Sequence, residues 1–365
     1  MRISVRLAAA VLMAALAVGC NGNPVKPPAR SGETSQAEPA APTLHLRAAD
    51  LRDTGVPGLV EGLAPDGSYF VAFGPAPDYW LTLTRLDAPD RPEVVAKVHT
   101  TAAVVVPGTH LIAFTGAKDE AAGHPVYLVA TDGRGLTKIG TTDTPFHLQA
   151  TARGLVAFRS DGGLSVYDIA AGEGRRLEGV ALRGEYPVDN TQWAISPDGG
   201  RVALLEGQVL TLLDLSSGMR RTVPGTPDSE RRATPGAWSP DGSLFAYGYS
   251  SMDPPTPPAL WVASPEAAPR PLLTPSRAFI RDSFREIKWL DGATLLTSFV
   301  VFGQKPEAYS ATRYYAVSLD GGTTQLFTGG AGLFVSADGE TLYFWRPTRE
   351  MFTRRPTLWT GRLVH

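Results

Sequence analysis

A tight turn feeding an alternating strand recurs along this chain, and it constrains the fold more than any other feature. The clearest copy is Ser239-Pro-Asp-Gly-Ser-Leu-Phe-Ala-Tyr-Gly-Tyr-Ser250, with close relatives beginning at Ala64, Ser196 and Ser336. Looser copies follow Val106-Pro-Gly-Thr109, Thr151-Ala-Arg-Gly154 and Trp289-Leu-Asp-Gly292. In the turn, Pro presets φ at the first corner, Asp bonds to backbone two residues on, and Gly takes the left-handed conformation. After it both faces of the strand carry apolar or aromatic groups, as in Leu244 to Tyr249. Such a strand expects a packed neighbour on either side.

The turn position held by Gly67, Thr109, Gly154, Gly199, Gly242, Gly292 and Gly339 steps by 42 to 50 residues. That is the period of a propeller blade. Residues 43–365 divide into seven units of about 46 residues, each expected to be a four-stranded antiparallel blade. The expected class is therefore all-β, a single seven-bladed β-propeller. The last unit reads as strands near Leu333 to Val335, Thr341 to Trp345 and Thr357 to Leu363, and it lacks an outermost strand. Thr43 to Ala48 has no partner in the first unit, so this N-terminal strand is expected to close the ring. Hydrophobic residues make up 43% of the chain and charged residues 19%, enough apolar material for between-blade cores.

The N-terminus reads differently. Met1 to Arg6 carries two positive charges, an apolar run of 12 residues spans Leu7 to Val18, and small residues lead to Cys20. The run is too short for a bilayer, which takes about 20 apolar residues, so residues 1–19 read as a signal peptide. The end Leu16-Ala-Val-Gly-Cys20 resembles the lipobox of bacterial lipoproteins, although the family usually has Leu where this chain has Ala17. The resemblance implies that Cys20, the only cysteine, is diacylated and anchors the chain to a membrane. It places the protein in a bacterial cell envelope on the periplasmic side, and Asn21 after the cysteine leans towards the outer membrane. Residues 20–42 are rich in proline without apolar periodicity, the composition of a disordered tether.

The repeat itself, an apolar strand, Ser-Pro-Asp-Gly, and a strand ending in Ala and an aromatic residue, resembles the WD40-like repeats of TolB-type propellers. The match is best at 196–205 and 239–249. It implies a blade, not an activity, because one fold hosts many functions. The prolyl oligopeptidase branch of such propellers is excluded by the lack of a G-x-S-x-G elbow. Residues 21–57 are too few and too proline-rich for the extra N-terminal domain of TolB itself.

Catalytic and cofactor motifs are missing. The sequence has no H-E-x-x-H, C-x-x-C, G-x-x-x-x-G-K or G-x-G-x-x-G signature, and the Asp-Gly turns lack the oxygen series of an EF-hand. The six histidines are scattered. His99 and His147 fall near expected innermost strands, where a metal site or a partly buried strand residue are both readings; Trp193, Trp238 and Trp289 read as core. No catalytic residue, metal or cofactor is assigned. A net charge of −2 and an extracytoplasmic address argue against nucleic acid.

The remaining signal is loop length. Connections on one side of the expected ring are short turns, whereas those on the other are long in the second half of the chain. The long ones carry Arg183, Arg231, Arg232, Arg277, Arg281 and Arg285 with Phe284. Arg with aromatic residues is the composition of interface anchors on rigidly held loops. The expected function is a lipid-anchored, monomeric interaction scaffold that docks an envelope protein or peptidoglycan-associated protein. The alternative is a small-ligand or glycan-binding propeller, or an enzyme, with its site at the mouth of the axial channel.

Overall fold

The computed structural model describes residues 44–57, 60–74, 78–118, 123–144, 147–182, 191–206, 209–223, 232–250, 259–273, 283–301, 311–346 and 357–365. They lie in a compact unit spanning Ala41–His365, and the described residues form strands and turns without a helix. The strands are β1 (Arg47–Pro57), β2 (Val60–Leu63), β3 (Tyr69–Phe73), β4 (Trp80–Arg85), β5 (Glu93–Val105), β6 (Leu111–Gly116), β7 (His124–Ala130), β8 (Thr137–Thr142), β9 (Leu148–Ala150), β10 (Leu155–Ser160), β11 (Gly163–Asp168), β12 (Glu173–Ala181), β13 (Thr191–Ile195) and β14 (Arg201–Glu206). They continue as β15 (Val209–Asp214), β16 (Arg220–Thr222), β17 (Arg232–Trp238), β18 (Phe245–Ser250), β19 (Ala259–Ala263), β20 (Arg270–Leu273), β21 (Ser283–Trp289), β22 (Thr294–Val301), β23 (Ala311–Ser318), β24 (Thr323–Thr328), β25 (Ala331–Val335), β26 (Thr341–Arg346) and β27 (Thr357–Val364).

Five of the sheets have four strands in antiparallel order: β9 to β12, β13 to β16, β17 to β20, β21 to β24, and β25-β26-β27-β1. The exception is a seven-stranded sheet running β2 to β8. It differs from the two separate four-stranded blades expected there because β5 is one continuous strand. Its first half pairs with β4 and its second half with β6. No Gly or Pro interrupts Glu93 to Val105, so nothing breaks the chain between the two pairings. The N-terminal strand also differs from expectation. It runs Arg47–Pro57 rather than 43–48 and pairs with β27 from Arg47 opposite Val364 to Pro57 opposite Thr357.

The recurring turn has a shared hydrogen-bond scheme. In the Ser239 copy, the serine hydroxyl donates to Asp241 at 2.5 Å and accepts the Leu244 N–H at 2.9 Å, while Asp241 accepts the Ser243 N–H at 3.0 Å. Ser196 repeats this with Asp198 and the Arg201 N–H, and Ser336 with Asp338 and the Thr341 N–H. Gly242 sits at φ 70°, the left-handed corner the scheme requires. These bonds pull Asp241 down to about 2, the Ser239 hydroxyl being the largest cause.

Alternate residues of a strand leave on opposite sides into different cores. Val156 and Phe158 join one hydrophobic cluster with Val106 and Ala113, whereas Ala157 between them joins Trp193 and Val202. Every cluster draws on two consecutive repeats, and one of them joins Val56, Tyr343 and Leu358 of the last sheet to Phe70 and Ala72 of the first repeat. A fully buried Val, Leu or Phe contributes about 1.5–3 kcal/mol, so each repeat depends on both neighbours for its core.

Candidate functional site

The first strand of each repeat lies against the first strand of the next. β2 contacts β5 and β25, β5 contacts β9, and β17 contacts both β13 and β21. Side chains make further links. Trp238 donates its indole N–H to the Ala194 carbonyl at 3.0 Å, and Trp289 does the same to Ala237 at 2.9 Å. Gln149 bridges β9 to β13, donating to the Trp193 carbonyl at 3.2 Å and accepting the Ile195 N–H at 2.8 Å. The indoles read from sequence as core thus also fasten neighbouring strands.

Of the interface anchors expected from sequence, Arg183, Arg231, Arg277 and Arg281 lie outside the described residues, as does Cys20. Arg232 opens β17, opposite Ser250, and Phe284 and Arg285 lie near the start of β21. Since β17 and β21 are neighbouring first strands that both lead into a short turn, Arg232 and Phe284–Arg285 stand at the same end of adjacent strands. Arg285 is the extra residue of a β-bulge, between Phe284 opposite Phe299 and Glu286 opposite Ser298. β21 begins at Ser283, so Phe284 and Arg285 belong to a strand and not to the long loop expected to carry them.

Glu286, the next residue of β21, is withdrawn from solvent. It accepts backbone N–H groups of Leu333 and Gly332; burial pushes its carboxyl up, and Lys288 opposes the shift. Lys288 is pulled down by burial against the opposing charge of Glu286, and its ammonium lies 4.4 Å from the Phe334 ring centre. Glu286, Ser298 and Tyr314 lie opposite one another across β21, β22 and β23, on one face of the sheet. The Glu286 Oε2, Ser298 Oγ and Tyr314 Oη atoms are buried with no hydrogen-bond partner among the described residues. On β2, burial raises Glu61 to about 7, and Glu61 too is a bulge residue, between Val60 opposite Ala72 and Gly62 opposite Val71. The available sequence signal for these groups was a charge inside an apolar first strand, as in Val60-Glu-Gly-Leu63 and Arg285-Glu-Ile-Lys288.

His147 is consumed by packing. Its ring lies 4.4 Å from that of Trp193, its Nε2 is 3.2 Å from Gln149 Nε2, and burial lowers it to about 4. His99 stacks on Tyr79 at 5.2 Å. Among the described residues no three His, Cys, Asp or Glu side chains are grouped to hold a metal ion, and no helix is long and apolar enough to cross a membrane.

No protein-family model matches the chain, and no curated protein matches it. Among solved structures, a chain of the mitotic checkpoint complex is similar at a TM-score of 0.57 with 13% identity, covering 98% of this chain and 99% of that one. The neighbour is a WD40-type propeller. With the all-β, four-stranded antiparallel sheets this makes the chain a β-propeller. At this identity the likeness speaks to the fold alone.

Proposed function

We propose that this chain is a lipid-anchored interaction scaffold of the bacterial cell envelope, built as a seven-bladed TolB-like propeller whose ring is closed by β1. Support for the ring comes from the clusters joining consecutive repeats, including the last to the first, and from the β1–β27 pairing. The signal and lipobox pattern at Cys20 supports the anchor, with residues 20–42 as tether and the outer membrane as the favoured address. The scaffold itself is non-catalytic and uses no cofactor. Its partner is an envelope protein or a peptidoglycan-associated protein.

The observation that carries the docking reading is the placement of Arg232 and Phe284–Arg285 at the same end of the adjoining strands β17 and β21. Guanidinium groups bind carboxylates bidentately and stack on aromatic rings. The matched propeller belongs to a protein complex, which accords with protein partners. The test pairs Arg232→Glu with Arg281→Glu, against Arg91→Glu with Arg134→Glu on exposed positions of the short-turn side. Partner loss only in the first pair is expected, and equal retention in both would remove this surface as the docking site. A Cys20→Ser protein should leave the membrane fraction and lose acyl labelling; if it stays membrane-bound and labelled, the anchor is wrong.

A second reading, a ligand site along the first strands, is favoured by the buried charges Glu61, Glu286 and Lys288. Perturbed groups gather at functional sites as well as in structural networks.

A further inference from the structure

A different part of the molecule carries a site that the loop arginines do not touch. Where β1 runs along β27, the register jumps from Ala49 opposite Arg362 to Arg52 opposite Thr360. Asp50 and Leu51 are thereby left facing Gly361 alone. Gly361 leaves room for this, since a Cβ there would press on the end of the Leu51 side chain and sit 3.2 Å from the Ala49 carbonyl. Asp50 takes φ 54°, a left-handed conformation rarely adopted by a residue with a side chain. Bulges and strained residues concentrate at binding sites, where they re-aim side chains.

This bulge opens onto a cleft of about 800 Å³, bounded on its far side by the Gly67 turn of the first repeat. The volume is that of a ligand site. Charged side chains along it are Asp50, Arg52, Asp53 and Arg362. Asp53 is already committed: its two oxygens accept the Gly55 N–H at 2.8 Å and the Thr357 hydroxyl at 3.0 Å. Asp50 meets Arg362 only at 4.0 Å with both side chains about 70% exposed, a contact worth little. Arg52 engages no carboxylate among the described residues. The cleft therefore presents two guanidinium forks and one loosely held carboxylate, a surplus of donors in the geometry that matches a carboxylate.

We propose that this cleft binds a carboxylate group through Arg52 and Arg362, and that the group belongs to an acidic polypeptide segment of a partner. The two neighbouring aspartates disfavour a dianion such as phosphate and leave a monoanionic carboxylate as the better fit. A sugar needs an exposed ring face, and Tyr343, the aromatic residue of the cleft, is only 8% exposed with its hydroxyl beneath the Gly67 turn. The bulges interrupt the outer strand's ladder, so recognition runs through side chains instead of an added strand. Asp50 competes with the ligand for Arg362.

The test is fluorescence anisotropy of a labelled hexaglutamate peptide with the full chain. A hexaglutamine peptide, trigalacturonate and inorganic phosphate serve as competitors. Hexaglutamate is expected to bind and hexaglutamine not to compete. Arg52→Ala and Arg362→Ala should each weaken binding about tenfold, the effect of one lost charge-assisted hydrogen bond. Arg52→Lys should also weaken it, since Lys lacks the fork, whereas Asp50→Asn should tighten it about threefold by freeing Arg362. All these positions are exposed, so unchanged thermal melting checks that the variants fold. Absence of hexaglutamate binding, or unchanged binding in both alanine variants, overturns the proposal. Stronger competition by trigalacturonate or phosphate than by unlabelled hexaglutamate overturns it in favour of a glycan or phosphate site. Either failure leaves the loop-docking reading standing, because that reading rests on β17 and β21.

Discussion

The Trp238 indole donates to the carbonyl of Ala194, 44 residues earlier in the chain. Trp289 repeats the bond to Ala237, 52 residues back. Both acceptors lie two residues before the Ser-Pro-Asp-Gly turn or its counterpart, so one position serves as the anchor for the next repeat's tryptophan. Trp238→Phe removes the donor while leaving a carbonyl in a buried setting, at a cost of about 1–3 kcal/mol, with a further cost for the lost ring. Trp289→Phe should behave alike. Denaturant melts of both variants decide the matter; losses below about 0.5 kcal/mol would mean that the indoles only fill space.

The turn scheme predicts a gain. Ser196, Ser239 and Ser336 each place a hydroxyl between the turn carboxylate and a strand N–H, but the first repeat has Ala64 there, buried at 1%. Asp66 is served instead by Ser68 at 2.7 Å. Ala64→Ser supplies the missing hydroxyl and should stabilise by about 1 kcal/mol, the net value of one hydrogen bond. The melting temperature should rise by a few degrees. A fall would show that the first turn is too tightly packed for the added atom.

Much of this was legible because the fold repeats a local signal. Ser-Pro-Asp-Gly is a turn for reasons contained in four residues, and its spacing carries the architecture. Strand ends were less legible, since Thr341 to Trp345 fell close to β26 while the N-terminal strand lay at 47–57 rather than 43–48. The reason is that β1 is held by β27, about 300 residues away, and a register set by a distant partner leaves little local trace. The same holds for Glu286, whose burial is decided by Gly332 and Leu333 of the next repeat. A run such as Phe284-Arg-Glu286 looks solvated until its neighbour is known.

Two buried groups predict opposing pH slopes. Glu61 is raised from 4.5 to about 7 by burial, so the folded state disfavours its charged form. Stability is greatest below pH 4.5 and falls as pH rises through 7, by up to about 3 kcal/mol at 1.4 kcal/mol per unit. His147 is lowered from 6.5 to about 4 by burial, so its contribution is present above pH 6.5 and is lost as pH falls towards 4. Between pH 4.5 and 6.5 the two slopes run in opposite directions and partly offset each other, on top of the fall that the raised Glu286 adds. Relative to the parent, Glu61→Gln should turn the profile upward with pH and His147→Asn downward. Urea melts at pH 4.5, 5.5 and 6.5 test this; parallel profiles for all three proteins would refute it. The turn aspartates Asp214 and Asp241, held near 2, stay ionised across this window.

The Tyr314 hydroxyl tests whether the buried polar row exists for stability. Its ring packs on Phe327 at 4.4 Å within the cluster that joins β23 to Leu333 and Phe344, and burial, then the Glu286 charge, pushes the phenol upward. The hydroxyl has no hydrogen-bond partner among the described residues, so the fold bears its desolvation without a matching bond. Tyr314→Phe keeps the ring and removes the polar atom; such a change is expected to leave stability unchanged or raise it by about 1 kcal/mol, because removing an unmatched buried polar group relieves its desolvation cost. It also lowers the local polarity around Glu286, which accepts the Gly332 and Leu333 N–H groups. Glu286→Gln in the Tyr314→Phe background should then gain less than the two single changes added, since cross-strand neighbours sharing one environment couple. Chemical denaturation of the four proteins gives the coupling directly. A loss above about 2 kcal/mol for Tyr314→Phe would show instead that the hydroxyl is engaged in the folded protein and that the row acts as a closed hydrogen-bonded unit.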